Sequence, residues 1–307
     1  MHANILLLFT AAIWGSAFVA QRLGMDYIGP HTFNGIRFLI GGLALIPLSI
    51  WLSQRLAKQT AAGVPPPVSP KSNSVRGLII GGVIAGCFLF GGAALQQVGL
   101  IYTTAGKAGF ITSLYIVLVP IAGLALKHNN GPGIWLGAFI ALIGLYLLSI
   151  KSDWSLDYGD LLVLIGAFFW TGHVLVIGWL APQYDPLKLS ILQFLFCGVL
   201  STAIGLGFEP WDWEGIKLAM PAILYTALMS TAIGYTLQVV AQQKAKPSHA
   251  AIILSAEAVF AVAAGWLVLD EVLTVRAAMG CVLIMLGMLI SQLMPELRFG
   301  RRARQAS

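Results

Sequence analysis

The segment PHTFNGIRFLIGG, residues 30–42, is matched later in the chain by PLKLSILQFLFCG, residues 186–198. Proline, phenylalanine and glycine recur at the same places, at an offset of 156 residues. The same offset aligns AIWGSAFV with FFWTGHVL, so that Trp14 matches Trp170. Collinear matches of this kind indicate that the chain contains two copies of one unit.

The matches continue downstream at a shorter offset. ALQQVG aligns with TLQVVA and AGFITS with AAIILS, both at 142 residues, so that Gln96 matches Gln238 and Ser113 matches Ser255. The first copy is therefore longer by 14 residues (156 minus 142), and the proline- and serine-rich stretch TAAGVPPPVSPKSNS accounts for this as a loose connection. We expect a first repeat at residues 1–150 with this loop at 54–75, a second repeat at 155–294, and a basic tail at 295–307.

The composition is that of a membrane protein. Apolar residues make up 58% of the 307 residues and charged residues 10%, against about 45–50% and about 25% in soluble domains. Runs of about 20 apolar residues, the length of a spanning helix, occur ten times. These runs, numbered spans 1 to 10, are Asn4 to Leu23, Thr32 to Ser53, Arg76 to Val98, Thr103 to Leu126, Gly133 to Ile150, Gly159 to Leu180, Lys188 to Gly207, Lys217 to Val240, His249 to Leu269 and Thr274 to Met294.

Each repeat contains five spans, an odd number, so the two copies must enter the membrane from opposite sides. The predicted fold class is therefore an all-α integral membrane protein whose ten transmembrane helices form two inverted five-helix repeats. Twelve of the 18 lysines and arginines lie in the even-numbered connections and the C-terminal tail. By the positive-inside rule, both termini are expected in the cytoplasm.

Inverted repeats favour a secondary transporter, because two halves related by an in-plane axis can expose one central site alternately to each side. The sequence contains no phosphate-binding loop of the ATP-driven type. It also shows no cluster with metal-ligand spacing and no basic stripe that would fit nucleic acid. We expect no enzyme activity, cofactor or metal. The expected partners are a small organic solute, the lipid bilayer and protons; the oligomeric state is left open.

Two stretches resemble a known family. TTAGKAGFITSLYIVLVP, residues 103–120, and SAEAVFAVAAGWLVLDEVLTVRAAMGCVLIMLG, residues 255–287, are similar to the EamA repeats of the ten-helix drug/metabolite transporters, with their LEPVFA…LGE…G…G pattern. The chain departs from the pattern at Ala258, where the family often has proline, and at Asn129, near the position of Glu271. The family spans exporters of amino acids, metabolites and drugs, so the resemblance implies transport without fixing a substrate. We expect export of a small organic metabolite or drug across a bacterial-type inner membrane. The resemblance also implies a central site lined by spans 1, 3, 4, 6, 8 and 9.

Span 8 carries a polar stripe on one face of an α-helix: Thr231, Tyr235, Gln238 and Gln242, at i, i+4, i+7 and i+11. We interpret Tyr235 and Gln238 as solute contacts, and Gln96 as a third through its repeat match. Hydrogen bonding between helices is the alternative reading of the stripe.

Trp14 and Trp170 lie well inside their spans, away from the interfaces where aromatic belts form. His173 follows Trp170 by about one turn and Thr10 precedes Trp14 by one turn, which gives each helix a mixed aromatic and polar face. We predict that Trp14, Trp170 and His173 contact the solute. Packing, with each indole N–H bonded to a neighbouring helix, is the alternative.

Glu257 is the one acid predicted deep within a span, and an ionisable group at such depth indicates function. It fits a proton-coupling role or a hydrogen bond to solute, against a structural bond to another helix. Tyr115, in the family-like stretch of span 4, is a further candidate contact. Arg37 is expected to be structural and to reach towards the outer surface, whereas Lys107 and its match His249 are interpreted as interfacial anchors or gates. Glu271 is expected to cap a helix end.

Three other functions compete with a coupled exporter. A passive uniporter of the same fold would need only hydrogen bonds in the site. An intramembrane enzyme would need a nucleophile with a base, but Ser113 and Ser255 have no evident partner in the sequence. A non-transporting membrane subunit would not require matching polar faces in both halves.

Overall fold

The computed structural model describes residues 2–61, 72, 74–128, 130–149, 157–268 and 274–294, and the regular structure of this part of the chain is helical throughout. Nine helices in the described ranges are long and apolar enough to cross a membrane, and span 5 adds a shorter apolar helix. The bounds of spans 1 to 5 are His2–Gly24, Pro30–Ala61, Val75–Tyr102, Ala105–Ser113 with Tyr115–Ala125, and Pro132–Ser149. Those of spans 6 to 10 are Tyr158–Leu180, Pro186–Phe208, Trp213–Tyr225 with Thr226–Tyr235 and Thr236–Gln242, Pro247–Leu254 with Glu257–Val268, and Val275–Leu293.

The ten predicted spans are confirmed, and most helix ends lie within a few residues of those predicted. Span 2 is the exception, because it runs to Ala61 rather than Ser53. Its last turns carry Arg55 and Lys58, so apolar content marks the part in lipid and misses the helical extension into water. The helix starts follow ordinary capping: the side chain of Asp185 accepts the backbone N–H of Lys188 at 2.9 Å.

Repeat-equivalent helices pack against each other in antiparallel pairs. In spans 5 and 10, a Cβ placed on Gly137 would lie 2.6 Å from the carbonyl oxygen of Gly287, and one on Gly144 would lie 2.6 Å from that of Gly280. Only glycine permits this approach, and small residues commonly bring membrane helices together. The N-terminal part of span 5 thus contacts the C-terminal part of span 10, and the C-terminal part of span 5 contacts the N-terminal part of span 10. The two helices therefore run in opposite directions.

Spans 2 and 7 form the second such pair. Gly42 faces Leu195, and its repeat match Gly198 faces Leu39. Outside these pairs, span 1 packs on span 8 and span 3 packs on span 6. The two contacts are equivalent, because span 6 is the repeat match of span 1 and span 8 is the repeat match of span 3. The contacts are those of two inverted five-helix repeats around a pseudo-two-fold axis, as the repeat analysis predicts.

Spans 4 and 9 are broken at equivalent positions, a feature the periodicity did not predict. In span 4 the N–H of Leu114 bonds back three residues to Ile111, and in span 9 the N–H of Ala256 bonds to Ile253, both at 3.2 Å. Leu114 and Ala256 are 142 residues apart. Each break therefore belongs to the repeated unit, and broken helices are common where transporters bind their solutes.

Span 8 is interrupted by a π-helical segment, Thr226–Tyr235, so the α-helical stripe predicted for this span is only partly correct. Thr231 packs against span 2, where a Cβ on Gly41 would lie 2.6 Å from its methyl group. Gln242 donates its amide N–H to the backbone oxygen of Val174 at 2.9 Å. These two residues join helices, whereas Tyr235 and Gln238 line a central cavity.

Several sequence predictions fall outside the described residues. They concern Asn129, Glu271, the tail at 295–307 and half of the loop at 54–75 (residues 62–71 and 73).

Candidate functional site

A central cavity lies where spans 1, 2, 3, 4, 6, 8 and 9 meet, between the two halves of the chain. Its volume is about 30 Å³, room for ordered water but not for an organic solute. All eight predicted solute contacts line it: Trp14, Gln96, Tyr115, Trp170, His173, Tyr235, Gln238 and Glu257. Six lining residues were not predicted as contacts: Phe18, Gln21, Arg37, Thr112, Val174 and Ser230.

The two matched tryptophans meet at a single aromatic ring. The ring centroid of Tyr235 lies 4.5 Å from that of Trp14 and 6.0 Å from that of Trp170, which stacks on it. His173 stands edge-on to the same tyrosine at 6.0 Å. The repeat therefore places one tryptophan from each half against a shared wall, although the tyrosine itself has Ala93 as its repeat match.

The indole N–H groups differ in their partners. Trp14 Nε1 donates to the backbone oxygen of Ser230, in the π-helical segment, at 3.3 Å. Trp170 Nε1 is buried and has no hydrogen-bond partner among the described residues. The hydrogen bond of Trp14 thus agrees with the alternative in which the indole packs and bonds to a neighbouring helix. The indole N–H of Trp170, in contrast, is available to donate to a ligand in the cavity.

Glu257 lies at the first turn of the second half of span 9, immediately after the break. Its side chain is in contact with the broken span 4: the hydroxyl of Tyr115 donates to Oε1 at 2.9 Å and that of Ser113 at 3.5 Å. Glu257 is 2% exposed. A helix N-terminus favours a nearby negative charge, so the break and the two hydroxyls together stabilise an acid in this position.

The structure contradicts the prediction that Arg37 reaches the outer surface. Arg37 is 1% exposed and lines the central cavity. Its Nε donates to Asn34 Oδ1 at 2.8 Å, and its guanidinium carbon lies 4.5 Å from the centroid of the Phe38 ring. The repeat contained no signal for this arginine, because its match, Gln193, is neutral.

Amide side chains supply further polar atoms. Gln96 donates to Thr112 Oγ1 at 2.8 Å, and Gln238 donates to Gln242 Oε1 at 2.9 Å. The amide oxygens of Gln238 and Gln21 are buried without a partner among the described residues. Buried polar atoms normally have partners, so these unpaired atoms mark the cavity as a place for water or a polar ligand. The spacing of Trp14, Phe18 and Gln21 along one helix face was a usable signal for Gln21.

An ionic contact lies between the odd-numbered connections. Lys107 Nζ lies 3.2 Å from Asp160 Oδ2 and 3.5 Å from Asp157 Oδ2, and Thr103 donates its hydroxyl to Asp160 Oδ1 at 2.6 Å. The contact joins the start of span 4 to the start of span 6. At the opposite end of the bundle, a larger cavity of about 900 Å³ lies among the even-numbered connections.

In the described ranges, no group of three or more His, Cys, Asp and Glu side chains is arranged to hold a metal ion. The hydroxyl of Ser255 donates to the backbone oxygen of Ile252 at 2.8 Å. The described residues of the cavity offer hydrogen bonding, stacking, the positive charge of Arg37 and the carboxyl group of Glu257.

Comparison with known proteins gives consistent results. The pattern of the EamA-like transporter family matches residues 1–150 and 157–293. An uncharacterized transporter of Archaeoglobus fulgidus is 32% identical over 95% of this chain and 86% of its own length, and the uncharacterized transporter YoaV of Bacillus subtilis is 23% identical over 91% and 92%. The uncharacterized inner membrane transporter YedA of Escherichia coli is 26% identical over 60% and 58%.

One solved structure, described only as the crystal structure of a protein, superposes with a TM-score of 0.72. It covers 94% of this chain and 96% of its own, at 18% sequence identity. At this identity the likeness concerns the fold.

Proposed function

Because the chain belongs to the EamA-like transporter family, we propose that it is a secondary transporter that exports a small organic metabolite or drug by alternating access. The central cavity is its solute site, and the eight residues predicted from the sequence are its contacts. The protein lies in an inner membrane of bacterial type, with both termini in the cytoplasm.

The observation that carries this proposal is the meeting of equivalent residues from both halves at one buried place. Trp14 and Trp170 face the same ring, and Tyr115 bonds its repeat match Glu257. Two inverted halves can exchange conformations about such an axis, which opens the same site first to one side and then to the other. A cavity of about 30 Å³ is too small for a solute, so binding requires the halves to move apart.

The two ends of the bundle support a cycle of this kind. The Lys107 contact with Asp157 and Asp160 joins spans 4 and 6 at the end with the odd-numbered connections, which is the outer end in the proposed topology, and the cavity beside this contact is about 280 Å³. The cavity of about 900 Å³ among the even-numbered connections lies at the cytoplasmic end. We interpret this arrangement as a state closed to the outside, from which a solute of the cytoplasm is loaded.

Glu257 is the coupling residue in this proposal. Among the described residues that line the central cavity it is the only acid, and its bonds to Tyr115 and Ser113 can be exchanged for bonds to a proton or a solute. A proton moving inward as the solute moves outward would drive export. A passive uniporter would use the same site without the coupling.

The test is solute flux in sealed proteoliposomes that contain the purified chain, with a panel of labelled organic metabolites and drugs. Saturable movement above that of protein-free vesicles supports transport, and accumulation driven by a pH gradient supports coupled export over uniport. Binding without flux contradicts transport and favours a non-transporting subunit, whereas conversion of a solute without flux favours an enzyme.

Topology has its own test. A compartment-sensitive reporter fused to Ser307 should report the cytoplasm, because the basic residues concentrate in the even-numbered connections and the tail. An external signal contradicts the proposed orientation and the direction of export with it.

A further inference from the structure

We propose that Arg37 is an anion subsite, and that the solute is a small organic anion whose carboxylate binds this guanidinium while its apolar or aromatic body lies against the neighbouring rings. The inference rests on the proposed function, because it assigns a chemical class to the solute of the central cavity.

The first observation is the unused hydrogen-bonding capacity of Arg37. A guanidinium carries five N–H donors in a planar fork that matches a carboxylate. In the described part of the chain, one of the five has a partner: Nε donates to Asn34 Oδ1 at 2.8 Å. The Asn34 amide N–H is held in turn by the backbone oxygen of Ala93 at 3.0 Å. Asn34 therefore orients the guanidinium and leaves its two terminal nitrogens for another ligand.

The second observation is the lack of charge compensation. Arg37 is 1% exposed, and among the described residues no carboxylate lies within 4.0 Å of it. Glu257 lines the same cavity, but its nearest partners are Tyr115 and Ser113 of span 4. A buried charge without a counter-ion is strongly unfavourable. An anionic solute would supply the missing charge.

The third observation is that the equivalent position in the second half carries no charge. The repeat match of Arg37 is Gln193, which is also buried and lies 2.8 Å from His173 Nε2 through its Oε1. The second half thus fills the equivalent place on span 7 with a neutral amide. The arginine on span 2 is a departure from the repeat, and the departure introduces one positive charge beside the cavity.

The aromatic rings near Arg37 indicate what the rest of the solute should be like. The guanidinium carbon lies 4.5 Å from the Phe38 ring centroid, the Phe38 ring lies 6.1 Å from Tyr235, and Tyr235 stacks on Trp170 at 6.0 Å. Contacts therefore run in succession from Arg37 through Phe38 and Tyr235 to Trp170. The unpaired N–H of Trp170 adds a hydrogen-bond donor. An anion with a flat or apolar body fits this sequence of charge, rings and donor.

The experiment compares matched solutes that differ in one group. Phenylacetate, phenylacetamide and phenethylamine share a ring and a chain length, and are anionic, neutral and cationic at neutral pH. Binding to the purified chain in lipid nanodiscs is measured by the change in tryptophan fluorescence and by thermal stabilisation. We expect the wild-type chain to bind the carboxylate more tightly than the amide or the amine.

Substitutions of Arg37 test whether this residue causes the preference for the carboxylate. In R37Q we expect the carboxylate to bind about 10- to 100-fold more weakly, as for the loss of a hydrogen bond to a charged group, with little change for the amide. R37K keeps the charge without the fork and should retain part of the preference. Tryptophan fluorescence and thermal unfolding of the variants without solute show whether they are folded. The preference of the wild-type chain for the carboxylate is measured independently of the variants, so it tests the inference even if a variant does not fold.

The inference is overturned if the carboxylate does not bind, if the three solutes bind equally, or if a folded R37Q keeps the wild-type preference. Its failure is separate from that of the proposed function, which is judged by flux. Flux of an amine or a neutral solute contradicts the anion subsite and leaves transport intact. Binding with the expected preference but without any flux supports the subsite and contradicts transport.

Discussion

Tyr115 donates a hydrogen bond of 2.9 Å to Glu257, and the two residues occupy the same position in the two halves of the chain, 142 residues apart. Each begins the second segment of a broken helix. A direct bond between repeat matches lies on the axis that relates the halves. Because this bond joins the two halves directly, it connects the acid of the site to the motion between halves that the proposed cycle requires.

Glu257→Gln should separate coupling from folding. The amide keeps the shape of the side chain and its acceptor for Tyr115, but it can no longer exchange a proton. We expect the variant to insert and to bind solute, to lose accumulation driven by a pH gradient, and to retain exchange of solute down its own gradient. The measurement is flux in proteoliposomes with and without the gradient.

Tyr115→Phe is the complementary control: it removes the hydrogen bond that Glu257→Gln keeps, and it leaves the acid in place. It should keep dependence on the pH gradient. A Glu257→Gln chain that remains fully driven by the gradient removes this residue from coupling, and one that fails to fold supports a structural role.

Trp14 and Trp170 should respond differently to replacement by phenylalanine. Trp14→Phe removes a hydrogen bond to the backbone of Ser230 and should lower the free energy of unfolding by about 0.5–1.5 kcal/mol. Trp170→Phe removes an N–H that has no protein partner, so it should weaken solute binding with a smaller loss of stability. Chemical unfolding and solute titration of both variants check this, and equal losses of stability contradict the difference in pairing.

Lys107→Gln should loosen the end of the bundle that is the outer end in the proposed topology. The side chain bridges Asp157 and Asp160, and a partly exposed pair of this kind is worth up to about 1 kcal/mol. We expect opening to the outside to increase about two- to fivefold. The measurement is the rate at which an external thiol reagent labels a cysteine placed at Gln21, in a chain without its three native cysteines.

Lys217→Gln is the control for the outer contact. Lys217 pairs with Glu214 at 2.7 Å, and both side chains are exposed, so its removal should leave the labelling rate unchanged. An unchanged rate in Lys107→Gln as well would show that this contact does not hold the outer end closed.

Glu209 joins two helices at the end of span 7. Its carboxylate accepts the backbone N–H groups of His31 and Thr32, each at 2.8 Å, and the Thr32 hydroxyl at 2.7 Å, which caps the start of span 2. Glu209→Ala should lower the free energy of unfolding by about 1–2 kcal/mol, as for other lost caps. Thermal unfolding in detergent measures it. Glu214→Ala, which removes an exposed pair, should change stability by less; an equal effect would contradict the capping role.

Much of the site could be predicted because duplication placed matching residues at constant offsets. The pairs Trp14 with Trp170 and Gln96 with Gln238 needed only the alignment of the halves, and all four line the cavity. Glu257 was identified by its depth in an apolar run. Arg37 was misplaced, because an arginine six residues into a span can extend to the surface or turn inward, and helical periodicity does not distinguish these choices.

The sequence by itself determined the ten spans, their inverted relation and most of the residues that meet at the centre, because apolar length, charge asymmetry and internal repetition are properties of the chain alone. Only the tertiary structure decided the breaks at Leu114 and Ala256, the π-helical turns before Thr236, and the burial of Arg37. Each of these depends on how the surrounding helices pack. The amide that orients the Arg37 guanidinium, Asn34, lies on the same helix, but its own orientation is set by the backbone oxygen of Ala93 on span 3. Local sequence does not show such contacts between helices, because only packing brings them into place.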